Sequence, residues 1–265
     1  MDGREINVQA VSFPHRMGTV LYACSPSDGE RLAGHGASRT AGKIQLVSIL
    51  WEHLVGMEGS LWTDCRFDYG ADLPIQVVYD TLGRPRLLLG ECAGPAISFS
   101  EGGEKMWAAL CGDTSDIGID AAGIDEFPKE YPFHRVFHVQ ELQQALRLTS
   151  GDLKKASALL WSIKEAAVKA LGCAFHLVDP RHICVYPSAA ENDGWYVFKV
   201  CLSGKALARF PTMASRCIWA RSHFEEKTWL SIALLNWRLI TTEMICSPDF
   251  GPERVADLNG FEPVP

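Results

Sequence analysis

The stretch Trp161-Ser162-Ile163-Lys164-Glu165-Ala166-Ala167-Val168-Lys169-Ala170-Leu171-Gly172 is helical by its spacing. Wound at about 3.6 residues per turn, it lines up Leu160, Ile163, Ala167 and Leu171 as a narrow apolar stripe. Ser162, Glu165 and Lys169 fall on roughly the opposite face, with Glu165 and Lys169 one turn apart. Taken alone, a Glu-to-Lys pair of this kind is a solvated helix face worth about 0.2–0.5 kcal/mol.

A second segment changes its meaning. Asp116-Ile117-Gly118-Ile119-Asp120-Ala121-Ala122 lies upstream, with Asp120 placed 45 residues before Glu165. It alternates as a strand, with Ile117, Ile119 and Ala121 on one face and Gly118, Asp120 and Ala122 on the other. By itself Asp120 reads equally well as a strand-end residue capping a neighbour. An acid on an apolar strand and an acid on a following helix together form a split carboxylate site for a divalent ion. Magnesium suits such a site, because it takes one or two carboxylates and completes its shell with water and phosphate oxygens. Lys169, on the same helix face, is then placed to meet a phosphate that the ion also touches.

The flanking elements alternate between the two periodicities. Apolar residues at Ile44, Val47, Leu50, Trp51 and Leu54 make a helix of 38–55, and 25–30 reads as a helix start. Strands are expected over 73–79 and 86–89 around Gly83-Arg84-Pro85, and over 96–100 and 105–110 around Gly102-Gly103. Helices follow over 139–148 and 153–171, then strands over 183–186, 195–202 and 217–221. Helices followed by strands in both halves imply an α+β fold of two similar units, 1–115 and 116–246, with a loose tail over 247–265. Between Asp120 and the helices, Phe127, Tyr131 and Phe133 lie in a loop flanked by prolines. They mark either a partner site beside the cleft or packing beneath the loop.

Composition narrows the function. The chain has 265 residues, 47% hydrophobic and 22% charged, the balance of a soluble globular protein. No run approaches the ~20 apolar residues that cross a bilayer, and the first residues lack a signal layout, so the expected compartment is the cytoplasm. A net charge of -7 argues against nucleic acid as a partner. Nine cysteines, odd in number and scattered without a C-x-x-C pair, read as reduced thiols. Anions must therefore be held by a local group of Lys and Arg.

The strand and the helix resemble the signature of the surfactin-type 4′-phosphopantetheinyl transferases. That family carries Gly-[Ile/Val]-Asp-x-Glu on a strand and [Trp/Phe]-[Ser/Cys/Thr]-x-Lys-Glu-[Ala/Ser]-x-x-Lys on a helix. This chain has Gly118-Ile119-Asp120, and Trp161-Ser162-Ile163-Lys164-Glu165-Ala166 with Lys169. Arg39-Thr40 is similar to the family's Arg-Thr pair, Gly83-Arg84-Pro85 to its Gly-Lys-Pro turn, and Ile97-Ser98-Phe99-Ser100 to its Ile-Ser-His-Ser strand. Two positions depart from the pattern: Ala122 replaces the second strand acid, and Phe99 replaces a phosphate-contacting histidine.

The resemblance implies a pseudo-dimer of two α+β halves with the active site in the cleft between them, working as a monomer. Asp120 and Glu165 would hold Mg2+ with the pyrophosphate of coenzyme A. Arg31, Arg39, Thr40, Arg84, Ser98, Lys164 and Lys169 would contact coenzyme A, and Asp120, Glu165 and Lys169 would carry the chemistry. The partner would be an apo carrier protein of fatty-acid, polyketide or nonribosomal-peptide synthesis. Ala122 and Phe99 leave a second possibility, a non-catalytic homologue that binds coenzyme A or the carrier.

Overall fold

The computed structural model describes residues 6–14, 17–27, 36–57, 74–112, 115–128, 130–190 and 193–236. Arg31 and the tail over 247–265 lie outside them. The N-terminal part runs β1 (Gln9–Phe13), β2 (Gly18–Pro26), α1 (Gly36–Gly56), β3 (Ile75–Tyr79), β4 (Pro85–Leu89), β5 (Cys92–Ala93), β6 (Ile97–Gly102) and β7 (Lys105–Cys111). The C-terminal part runs β8 (Asp116–Gly123), α2 (Phe133–Val136), α3 (Val139–Leu148), α4 (Leu153–Ala170), β9 (Ile183–Ala190), β10 (Tyr196–Leu202), α5 (Gly204–Arg209), β11 (Ile218–Glu225) and β12 (Thr228–Leu235). The fold is α+β.

Two antiparallel sheets carry the architecture, ordered β1-β2-β7-β6 and β8-β12-β11-β10-β9, and β3-β4-β5 forms a smaller third. The parts repeat one plan. A first strand leads to a long helix, and a later hairpin returns to pair with that strand, as β2-β7-β6 and β8-β12-β11. The two large sheets share a core in which Val20 and Trp107 meet Ile117, Ile119, Trp219 and Leu230. On its outer side the first sheet packs under α1 through Leu46, Val47, Leu50 and Leu54. The second sheet packs under α4 in the same way. The result is four layers, helix–sheet–sheet–helix.

The expected helices and the 97–102 and 105–111 strand pair are present. Residues 25–26 correct the expected helix start, because Ser25 and Pro26 end β2. β12 was not among the expected strands. It is an interior strand of its sheet, between β8 and β11, and buried at every residue, so Thr228–Leu235 shows no polar alternation to reveal it. Among the described residues Cys24, Cys173, Cys184 and Cys217 are free thiols. Cys201 is disulfide-bonded, which corrects the reading of reduced thiols at that position; linear spacing does not constrain which thiols meet in space. No helix among the described residues is long and apolar enough to cross a membrane.

α4 is less amphipathic than its sequence implies. It is capped by Asp152, whose carboxylate accepts the Lys155 amide at 3.0 Å. It ends at Gly172, whose φ of +72° favours glycine. Between these ends Ser162, Lys164, Ala166 and Val168 are all buried, because the helix lies against β8 and β12 on one side and α3 on another. Ser162 does not share the Glu165 face: its hydroxyl meets that of Ser231 on β12 at 2.7 Å. Gly118 permits the closest approach, since a Cβ there would stand 1.9 Å from the Ala166 carbonyl oxygen. This contact fixes where β8 presents Asp120 to the helix.

Candidate active site between the two sheets

β6 and β8 run side by side as the facing edges of the two large sheets. Serines on β6 join them: the Ile119 amide donates to Ser98 Oγ and the Ala121 amide to Ser100 Oγ, both at 3.1 Å. Beside this seam lies a cleft of about 390 Å³ lined from both halves. Lys43, Phe99, Ser100 and Glu101 come from the N-terminal part. Asp120, Glu126, Trp161, Glu165 and Lys169 come from the C-terminal part. Trp161, Glu165 and Lys169 stand one turn apart along α4 and form its cleft-facing row, with Trp161 braced on Phe175 at a centroid distance of 5.0 Å.

Asp120, Glu165 and Lys169 are brought together here. Lys169 Nζ donates to Asp120 Oδ1 at 2.8 Å, to the Ile119 carbonyl at 3.0 Å and to the Phe99 carbonyl at 3.3 Å. Ser100 Oγ donates to the same Asp120 oxygen at 2.9 Å. Asp120 Oδ2 and both oxygens of Glu165 have no hydrogen-bond partner among the described residues. Burial first, then the negative charges of Asp120 and Glu126, push the Glu165 pKa up to about 7 against the opposing pull of Lys169. Asp120, Glu126 and Glu165 thus crowd the Lys169 end of the cleft, an excess of acids in a half-buried space.

That donor set fits a hard cation. Asp120 Oδ2 and Glu165 are open oxygen donors, as magnesium requires, and the remaining positions would fall to water or ligand. Among the described residues, no group of three His, Cys, Asp or Glu side chains could hold a metal ion without such help. Ala122 shares the α4-facing side of β8 with Asp120 but is 1% exposed within the core and does not line the cleft. Glu126 lines it instead, held by the Gly123 amide at 2.6 Å.

Other expected residues lie elsewhere. Lys164 is a correction: it is fully buried and paired with Glu141 at 2.6 Å, and it also donates to the carbonyls of Pro180 and Ile183 at 2.8 Å. No part of it is left to reach a ligand. Arg84 is bonded to Asp116 and packs over Gly172, outside the cleft lining. Ser98 is 3% exposed, with its hydroxyl in the β6–β8 seam. Arg39 and Thr40 are exposed on α1, and Arg39 reaches the cleft rim through Glu101 at 3.3 Å. The loop aromatics settle as packing: Phe127 is 2% exposed and meets Tyr131 edge-on at 4.9 Å. Sequence reasoning missed Lys43 and Glu126 as cleft residues. Lys43 sits one turn beyond Arg39, a spacing that could have shown it; Glu126 lies in a short 3-10 turn with no periodicity.

Residues 116–194 match the profile of a family described as the 4′-phosphopantetheinyl transferase superfamily. The match covers β8 through β9, including Asp120, Glu165 and Lys169, and is under a third of the chain. No curated protein matches the chain significantly. Among solved structures it is similar to holo-[acyl-carrier-protein] synthase from Neisseria meningitidis, at 18% identity and a TM-score of 0.37 over 46% of this chain and 97% of the other. A synthase–coenzyme A complex from Chronobacterium ammoniagenes gives 20% and 0.37, covering 48% and 100%. The holo-ACP synthase of Plasmodium yoelii gives 21% and 0.35, covering 45% and 92%.

Proposed function

We propose that this chain is a magnesium-dependent transferase moving the 4′-phosphopantetheine arm of coenzyme A onto a serine of an apo carrier protein, releasing 3′,5′-ADP. The observation that carries it is the unpartnered Glu165 carboxylate, facing a cleft beside Asp120 and Lys169. The profile match over 116–194 supports it, since it spans all three residues. Because both walls of the cleft come from one chain, a monomer suffices, and we place it in the cytoplasm.

In this reaction a bond forms between the serine oxygen and the β-phosphorus, and the bond from that phosphorus to the bridging oxygen breaks. The electron pair leaves with 3′,5′-ADP. A bound magnesium ion would supply charge neutralisation at the pyrophosphate oxygens. Asp120 and Glu165 would hold it through the oxygens that have no partner. Lys169, anchored on two carbonyls and Asp120, keeps a fixed positive charge where pyrophosphate would lie. Glu165 is the acceptor for the serine proton, directly or through a water it orients.

The test is incubation with coenzyme A, magnesium and a panel of apo carrier proteins, followed by intact mass. A carrier gaining one phosphopantetheine, with stoichiometric 3′,5′-ADP, is expected. A protein that binds coenzyme A yet modifies no carrier would favour the non-catalytic reading. Full activity in excess chelator would remove the metal assignment.

A further inference from the structure

Every cation around the cleft but one is matched with a carboxylate among the described residues. Lys169 has Asp120, Arg39 has Glu101 and Arg84 has Asp116. Lys43 lines the cleft and is in no ion pair there. Its neighbours are aromatic: Nζ lies 5.4 Å from the Phe99 ring centre and 5.7 Å from that of Tyr79, and it donates to the Tyr79 hydroxyl at 3.4 Å. Rings hold an ammonium in place by their negative faces without cancelling its charge. Lys43 is therefore a positioned cation whose field is still available to an anion.

Phe99 links it to the rest of the site. Its carbonyl accepts from Lys169 while its ring lies beside Lys43, so the two lysines flank one residue. Asp120 and Glu165 face the Lys169 side and suit a metal-bound pyrophosphate. A second phosphate placed there would meet those acids, whereas on the Lys43 side the cleft carboxylate, Glu101, is already paired with Arg39.

We propose that Lys43, held by Tyr79 and Phe99, binds the 3′-phosphomonoester of the ligand and makes the protein selective for coenzyme A over its dephospho form. This rests on the transferase reading above. Phe99 would then serve as the platform for the charge rather than as the phosphate contact.

The experiment is calorimetric titration of wild type, K43M and K43R with coenzyme A and with 3′-dephospho-coenzyme A. K43M keeps the apolar stem beside Phe99 and removes the charge alone. The expected result is about tenfold weaker binding of coenzyme A by K43M, the lower end for a hydrogen bond to a charged group. Binding of the dephospho ligand should be unchanged, and K43R should recover most of the loss. Equal losses for both ligands, or none, in a protein that still binds coenzyme A would overturn the Lys43 assignment and leave the transferase reading standing. Failure of wild type to bind either ligand would overturn both.

Discussion

α4 carries two lysine–carboxylate pairs, and their surroundings differ in kind. Lys164 pairs with Glu141 on the side turned to α3 and β9. Glu141 Oε1 also takes the His138 amide at 2.8 Å, and Oε2 takes the Val185 amide at 3.1 Å. Every polar atom is used and no water reaches it. Burial lowers the Lys164 pKa, and Glu141 draws it back up. Lys169 pairs with Asp120 on the cleft side, where the lysine is satisfied but Asp120 Oδ2 and the adjacent Glu165 are not. A closed pair holds elements together. An open one, with carboxylate oxygens left unpaired in a cleft, is ready for a ligand.

The sharpest test of that contrast is Glu165→Gln. It should reduce carrier modification by about 10²–10⁴-fold, the range for losing a positioned proton acceptor, without disturbing the fold. The measurement is the initial rate of 3′,5′-ADP release, with circular dichroism as the control. A variant that retains most of its rate would place Glu165 outside the chemistry.

Next in size is the difference between the lysines themselves. Lys164→Ala strands Glu141 in the interior and should cost about 3–5 kcal/mol in urea unfolding. Lys169→Ala should cost about 1–2 kcal/mol, because water screens the cleft and Ser100 still serves Asp120. Its larger effect should be on turnover. Equal stability losses would mean that both pairs are structural.

These positions show what could be read from the chain and what could not. The acid–lysine row Glu165/Lys169 and the face of β8 bearing Asp120 follow from periodicity, because helix and strand geometry alone decide which residues share a face. Lys164 lies in the same motif, yet its role depends on Glu141, a partner 23 residues away whose approach no period encodes. Lys43 and Glu126 reach the cleft by tertiary packing. β12 escaped because a strand buried on both faces has no polar side to alternate with.

The smallest effect concerns pH and isolates the open pair from its ligand. Glu165 in the folded protein titrates at about 7, against an ordinary value of 4.5, chiefly because it is buried. Between those values the folded state binds the proton that the unfolded state has released. Stability must then fall as pH rises from about 4.5 to 7 and level off above. The full shift sets an upper bound of about 3 kcal/mol, and about 1–2 kcal/mol is expected once partial exposure is allowed for. Glu165→Gln removes the ionisation, so in chelator-treated buffer the variant should be more stable than wild type at pH 8 and equal to it at pH 4. Added magnesium should stabilise wild type at pH 8 and leave the variant nearly unchanged, since a cation compensates a charge the variant lacks. Paired urea titrations at the two pH values provide the measurement. A variant less stable than wild type at pH 8 would mean that Glu165 has a compensating partner in the fold. The contrast with Lys164–Glu141 would then disappear.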